Sequence, residues 1–165
     1  MKYIVFNDEL TPESLNKLMS EITDDIVIYF DSKGGDYDST RYFIDFTKRT
    51  EHKITLISNW RLASSAFDLF FMSNTEKIVM ESCFGIVHLV NRDINTTDLK
   101  KMDDLNTFLM NNIETTNKDR WEYYLKLGMN ENNFNKYDNG YDIIISNENM
   151  KRFATKAKEL LEESK

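Results

Sequence analysis

Two histidines, one cysteine and five glycines limit the chemistry open to this chain of 165 residues. Two of the glycines are adjacent, Gly34 and Gly35, directly after the apolar run IVIYFDS. Glycines at the end of a buried strand leave backbone N–H groups free to face an anion or oxyanion. The plainer reading is a tight strand-to-helix turn. Ala63-Ser64-Ser65-Ala66 stands where a loop opens an apolar helix. A serine there commonly caps the helix. Small neighbours also leave room for a substrate carbonyl, and the helix N-terminus favours the charge developing on it. Asp68 weakens that field unless it points outward.

His52, in Glu51-His52-Lys53, reads as a surface residue. His88 interrupts Ile86-Val87-His88-Leu89-Val90, where a rigid strand and apolar surroundings suit a neutral general base. A satisfied core histidine is the plainer alternative. Asp138 and Asp142, in the loop before the last apolar run, are carboxylates that can orient an imidazole. Asp138-Asn139-Gly140 is equally turn chemistry. The single Cys83 excludes an internal disulfide, and two histidines without spacing partners predict no metal site. With no phosphate loop and no Gly-x-Gly-x-x-Gly fingerprint, no cofactor is expected.

The elements that must position these residues follow from periodicity. Strand-length apolar runs cover Tyr3 to Phe6, Ile26 to Phe30, Ile54 to Ser58, Lys77 to Met80 and Phe84 to Val90, with a sixth at Asp142 to Ile145. Runs such as IVIYF, apolar throughout, predict strands covered on both faces. Helices are expected from Pro12 to about Ile22, from Tyr37 to Lys48 and from Leu62 to Met72. The alternation predicts an α/β fold with a mainly parallel sheet.

A longer helix is expected over 98–127, where Leu99, Met102, Leu105, Leu109 and Ile113 form a stripe that Trp121, Tyr124 and Leu125 resume. At about 1.5 Å per residue it is too long for a domain this size and must kink or project, with Glu114 to Arg120 as kink or solvated middle. Gly128 stops it. A projecting apolar stripe implies a partner subunit. MNENNFNKYDNG reads as loop, and a last helix starts near Ser146 and buries Met150, Phe153, Ala157 and Leu160.

Composition bounds the function. The net charge of −7 is the wrong sign for neutralising phosphate backbones, so nucleic-acid binding is not expected. No apolar run is long enough for a membrane span and the N-terminus lacks a signal-peptide pattern, which predicts a cytoplasmic protein without a membrane partner.

Taken in order, Ser32-Lys33-Gly34-Gly35 after a buried strand, Ala63-Ser64-Ser65-Ala66 opening a helix, a strand bearing His88, a long helix and then an Asp resemble the ClpP-like serine peptidases. The resemblance runs from Tyr3 to about Phe153. It implies a single domain over 1–165 with a crotonase-like spiral of β-β-α units, a head at 1–92 and 136–165, and a handle-like helix at 98–127. Matched against the family's Ala-Ser-Met-Gly-Ala, Ser64 is the implied nucleophile, with Ser65 the lesser alternative. His88 is the implied base, Asp138 (alternatively Asp142) the third triad member, and the N–H groups of Gly35 and Ser65 the oxyanion hole. The implied activity is serine-type endopeptidase action on peptides or unfolded protein, without cofactor or metal, in a homo-oligomeric ring, heptameric or stacked.

The chain departs from the pattern at Lys33 for the family's proline and at Ala66 for a glycine. His88-Leu89-Val90-Asn91-Arg92-Asp93 stands in place of a glycine-rich ribbon. Trp60 and Arg61 are large neighbours of the nucleophile. The chain opens on its first strand without the axial loop that contacts an AAA+ unfoldase, so that partner is not expected. A catalytically weak or inactive ring paralogue is the second reading, and a crotonase-fold acyl-CoA enzyme ranks last. A Ser–Lys variant would use Lys33 as base.

Overall fold

In the computed structural model, which describes residues 1–90 and 103–164, four apolar runs form one parallel sheet. Strands β1 (Lys2–Phe6), β2 (Ile26–Phe30), β3 (Ile54–Ser58) and β5 (Glu76–Val79) lie side by side in that order. Helices α1 (Pro12–Glu21) and α2 (Tyr37–Arg49) make the first two crossovers. Both begin where local chemistry sets them. Thr11 and Ser14 form a reciprocal capping box ahead of Pro12, and Asp36 Oδ2 accepts the Ser39 N–H at 2.7 Å.

A second, smaller sheet joins β4 (Arg61–Ala63), β6 (Phe84–Val87) and β7 (Ile143–Ile145). β4 and β6 are parallel, β6 and β7 antiparallel. Strand β4 occupies residues expected partly as helix, and α3 (Ser65–Met72) starts only after it. Asp31 makes the corner between β3 and β4: its Oδ1 accepts from Ser58 Oγ at 2.7 Å and from the Trp60 N–H at 2.9 Å. β6 ends at Val87, so His88 sits one residue beyond the strand rather than within it.

The larger sheet is covered on one face only, against the expectation of two. Ile28, Phe30 and Leu56 face the core with Leu15 and Leu18 of α1, Phe43 of α2 and Phe70 of α3. Each such side chain removed from water contributes roughly 2–3 kcal/mol. On the opposite face Val5, Tyr29, Ile57 and Ile78 are consecutive partners across all four strands. Val5 is 71% exposed, Tyr29 45% and Ile78 39%. Two-sided apolar strands therefore fold here with one apolar face bare.

The long helix α4 (Asp103–Leu127) is unbroken and spans roughly 37 Å at 1.5 Å per residue. Residues 98–102 of the expected handle, with Leu99 and Met102, lie outside the described residues, as do Asn91, Arg92 and Asp93. The stretch Glu114 to Arg120 is neither a break nor wholly solvated, because Asn117 and Arg120 are buried in it. From Asn117 onward α4 docks with Trp121, Tyr124 and Leu127, whereas 109–116 is exposed or half-buried. Gly128, at φ +98°, ends the helix, and the Met129 N–H folds back to the Tyr124 carbonyl at 2.9 Å.

The Asn-rich segment read as loop is a 3-10 turn at Glu131–Asn133 followed by α5 (Phe134–Asp138). It is held by ring contacts of Trp121 with Phe134 and Tyr137. Helix α6 (Asn147–Glu163), capped by Ser146, buries Met150, Phe153 and Ala157. Among the described residues no helix is long and apolar enough to cross a membrane.

Candidate active site

The Ser64 side of the site begins with the small sheet. β4 pairs with β6 up to Ala63 and Ile86, and the Ser64 N–H donates to the Ile86 carbonyl at 2.8 Å. The chain must then turn from strand into α3 within one residue. Ser64 makes that turn at φ 56°, ψ −130°, the one non-glycine residue with positive φ among those described. Such a conformation costs a non-glycine residue of order 1–3 kcal/mol and persists only where surroundings enforce it. Although Ser64 precedes the helix, its hydroxyl makes no capping hydrogen bond. The capping alternative is thereby set aside.

The Gly34–Gly35 loop is laid against this corner. Ser32 bridges to β4, its N–H donating to Arg61 O at 2.9 Å and its carbonyl accepting the Ala63 N–H at 3.1 Å. Ser32 Oγ in turn accepts the Gly34 N–H at 3.1 Å. A Cβ on Gly34, at φ +96°, would stand 2.6 Å from the Ala63 carbonyl oxygen and 2.8 Å from Ser64 Cβ. Only glycine allows the loop this close to the corner. The Gly35 N–H, named as an oxyanion donor, is held by Ser65 Oγ at 2.9 Å. The Ser65 N–H, at the first position of α3, has no acceptor within its own helix.

His88 faces the same cleft. Its Nδ1 lies 2.7 Å from the Leu89 carbonyl oxygen. A carbonyl can only accept, so Nδ1 carries a proton; of the two neutral tautomers this selects the one whose Nε2 lone pair can act as a base. The orienting group is thus main chain, where a carboxylate was expected. Asp138 ends α5 and Asp142 precedes β7; both are exposed, and neither bonds to His88 or lines the cleft. Tyr137, the neighbour of Asp138, is the residue that turns inward.

What fixes His88 is a buried network that the sequence did not announce. Arg120, 1% exposed, donates from Nη1 to the His88 carbonyl at 2.9 Å and from Nε to Asp68 Oδ2 at 2.8 Å. Tyr124 OH donates to the other Asp68 oxygen. Asn117 receives the Val90 N–H at 2.8 Å and returns its amide to the Val90 carbonyl at 3.3 Å. Tyr137 OH donates to the Asn117 carbonyl at 3.1 Å. Asp68 therefore points inward and its charge is met by Arg120, so it does not act on the helix terminus as an unpaired anion. Burial pushes the Asp68 carboxyl up, while Arg120 and Tyr124 pull it back toward the ionised form. Burial and then Asp68 push Tyr37 up to about 12, so the phenol on the cleft wall stays neutral. The signal in the sequence was an aspartate inside the otherwise apolar SAFDLFFM, which needs a buried cation.

Ser64, Ser65, Gly35 and His88 all line one cleft of about 350 Å³, to which α4 contributes Asn112, Ile113 and Thr116. Lys33 is at its rim but is paired with Glu9 at 3.0 Å and exposed, which does not suit a base. Trp60 and Arg61 do not line it; Trp60 packs edge-on against Phe84. Cys83 is buried beside Ser58, and burial lifts its thiol to about 11, too high for a ready nucleophile. Among the described residues no three His, Cys, Asp or Glu side chains come together as a metal would require.

No family model and no curated protein matches this sequence. Among solved structures, a ClpP1 mutant from Listeria monocytogenes matches with a TM-score of 0.59 at 16% identity. The alignment covers 93% of this chain and 86% of that one. The α/β arrangement of strands and helices described above is accordingly a ClpP-like fold.

Proposed function

We propose that the protein is a serine-type peptidase of the ClpP kind, acting on peptides or unfolded protein through a Ser64–His88 dyad. The observation that carries this reading is Ser64 itself: an uncapped serine held at a strained strand-to-helix corner, in one cleft with His88 and Gly35. His88 Nε2 takes the proton from Ser64 Oγ as the oxygen attacks a peptide carbonyl. The oxyanion is received by the N–H groups of Ser65 and Gly35. Collapse breaks the C–N bond and the leaving amine takes the proton from His88. Water then repeats the sequence on the acyl-enzyme, with His88 again as base. The Leu89 carbonyl holds the imidazole tautomer that an aspartate would otherwise hold.

The row Val5–Tyr29–Ile57–Ile78, exposed except at the half-buried Ile57, supports self-assembly, because an apolar face of this kind is normally covered. In the same reading the chain forms a ring of one-domain subunits whose projecting α4 serves as handle. A ring paralogue with weak or no activity is the second reading. It is favoured by the exposed positions of Asp138 and Asp142 and by the occupied Gly35 N–H.

A fluorophosphonate probe, with adducts mapped by mass spectrometry, tests the proposal. Labelling at Ser64 that disappears in His88→Ala is expected. An assembled, folded sample that takes no label would shift the assignment to the paralogue.

A further inference from the structure

Ser65 is the first residue of α3, 2% exposed, and its hydroxyl bonds both main-chain polar groups of one residue, Gly35. Oγ accepts the Gly35 N–H at 2.9 Å and donates to the Gly35 carbonyl at 3.0 Å. A hydroxyl so engaged is no nucleophile, which removes Ser65 as an alternative to Ser64. It does occupy the direction in which Gly35 would bind a substrate oxygen. We propose that the Ser65 hydroxyl is a built-in occupant of the oxyanion position, holding the Gly35 N–H until a substrate carbonyl displaces it. The inference rests on the assignment of Gly35 as an oxyanion donor.

The loop cannot relieve this by turning away. The Asp36 N–H is bonded to the Leu10 carbonyl at 2.7 Å, and the Leu10 N–H to the Gly34 carbonyl at 3.0 Å. A Cβ on Gly35 would lie 2.2 Å from that same Leu10 oxygen, so the peptide is pressed against Leu10 on its other side. The loop is thus pinned from both ends, and the part free to move is the hydroxyl, by one rotation about the Ser65 Cα–Cβ bond. A methionine, which stands at this position in the motif that the sequence resembles, has no group that could hold the N–H.

The consequence is an oxyanion hole with one donor open and one taken. Loss of one such donor typically lowers turnover 100- to 1000-fold, roughly. Exchange of the neutral hydroxyl for a developing oxyanion is favoured, because hydrogen bonds to a charged acceptor are stronger. Ser65 therefore sets a threshold: a substrate must seat its carbonyl well enough to displace the hydroxyl before Gly35 contributes.

The test is Ser65→Ala in the full chain, with two measurements against wild type. One is the rate at which a fluorophosphonate labels Ser64. The other is amide hydrogen exchange, followed by mass spectrometry, in the peptide containing Gly35. Removal of the hydroxyl should speed labelling about tenfold, the worth of one hydrogen bond of about 1.4 kcal/mol. It should also convert one slowly exchanging amide in that peptide to fast exchange. Where wild type takes the label, a folded variant that labels no faster overturns the proposal, and so, in any case, does a Gly35 amide that stays equally protected. If neither protein labels while the Gly35 amide loses protection, the occupancy stands and the assignment of Ser64 as nucleophile is what fails. Ser65→Gly, which also lacks the hydroxyl, replaces the variant should Ser65→Ala lose its circular dichroism.

Discussion

The two walls of the cleft are held by different kinds of force. On one side, main-chain hydrogen bonds hold Ser64 to Ile86, Ser32 to Arg61 and Ala63, and Gly34 to Leu10, with contacts so close that only glycine fits. On the other, His88 and Val90 are positioned by the side chains of Arg120 and Asn117, both from the docked end of α4. The first wall is held by main chain and carries backbone strain; the second is held by side chains and carries buried charge. The first therefore tolerates little change of shape, while the second tolerates little change of charge.

That contrast is sharpest at Arg120. With Asp68 fully buried, Arg120→Ala leaves an unpaired carboxylate in the core, at a cost of about 3–5 kcal/mol. Replacing both partners, as Asp68→Leu with Arg120→Met, should recover most of that loss in urea unfolding. The double variant should still lose His88 positioning, since no donor remains for the His88 carbonyl. If Arg120→Ala unfolds within about 1 kcal/mol of wild type, the second wall is not held by charge.

On the first wall the matching variant is Gly34→Ala. Its φ of +96° and the approach of a Cβ to the Ala63 oxygen and Ser64 Cβ predict a loss of roughly 2–3 kcal/mol. Ser64 labelling should fall with it, because the loop can move only by moving the corner. A variant as stable as wild type would show that the loop has slack. Asn117→Ala is the smaller counterpart across the cleft. It removes both bonds to Val90 and should cost about 1–2 kcal/mol. Faster amide exchange confined to 88–90 would tie that loss to the histidine; faster exchange throughout α4 would assign it to the helix.

The same contrast explains what was legible in the sequence. The first wall was readable, since Gly34-Gly35, the Ala-Ser-Ser-Ala corner and the strands before them are local patterns with local causes. So were α1, opened by Pro12, and α2, both within a few residues of their observed bounds. Strand β4 was not, because three residues paired to Ser32 and Phe84–Ile86 have no period of their own. The second wall was hidden for a related reason. Asp68 and Arg120 are 52 positions apart, so the aspartate in SAFDLFFM calls for a buried cation without indicating which one supplies it. Asp138 is turned outward: adjacent helical side chains point about 100° apart, and Tyr137 is the one directed inward. The carboxylate that the triad pattern asks for was sought in a turn sequence, when the imidazole's partner is a carbonyl that every residue possesses.

The smallest effect tests the strain most directly, and its sign is the informative part. Glycine accepts φ 56°, ψ −130° without the penalty that Ser64 bears. Ser64→Gly should therefore raise stability by about 1 kcal/mol, the relieved strain exceeding the extra chain entropy that glycine loses on folding. Ser64→Ala keeps the Cβ and the strain, so it should show no such gain. Both variants lack the nucleophile and should take no fluorophosphonate at this position. A gain in Ser64→Gly alone would mean that the corner holds the serine against its own backbone preference, as expected of a position kept for chemistry. Equal stability in all three proteins would mean that the fold accommodates the corner freely. The first wall would then differ from the second only in its lack of charge.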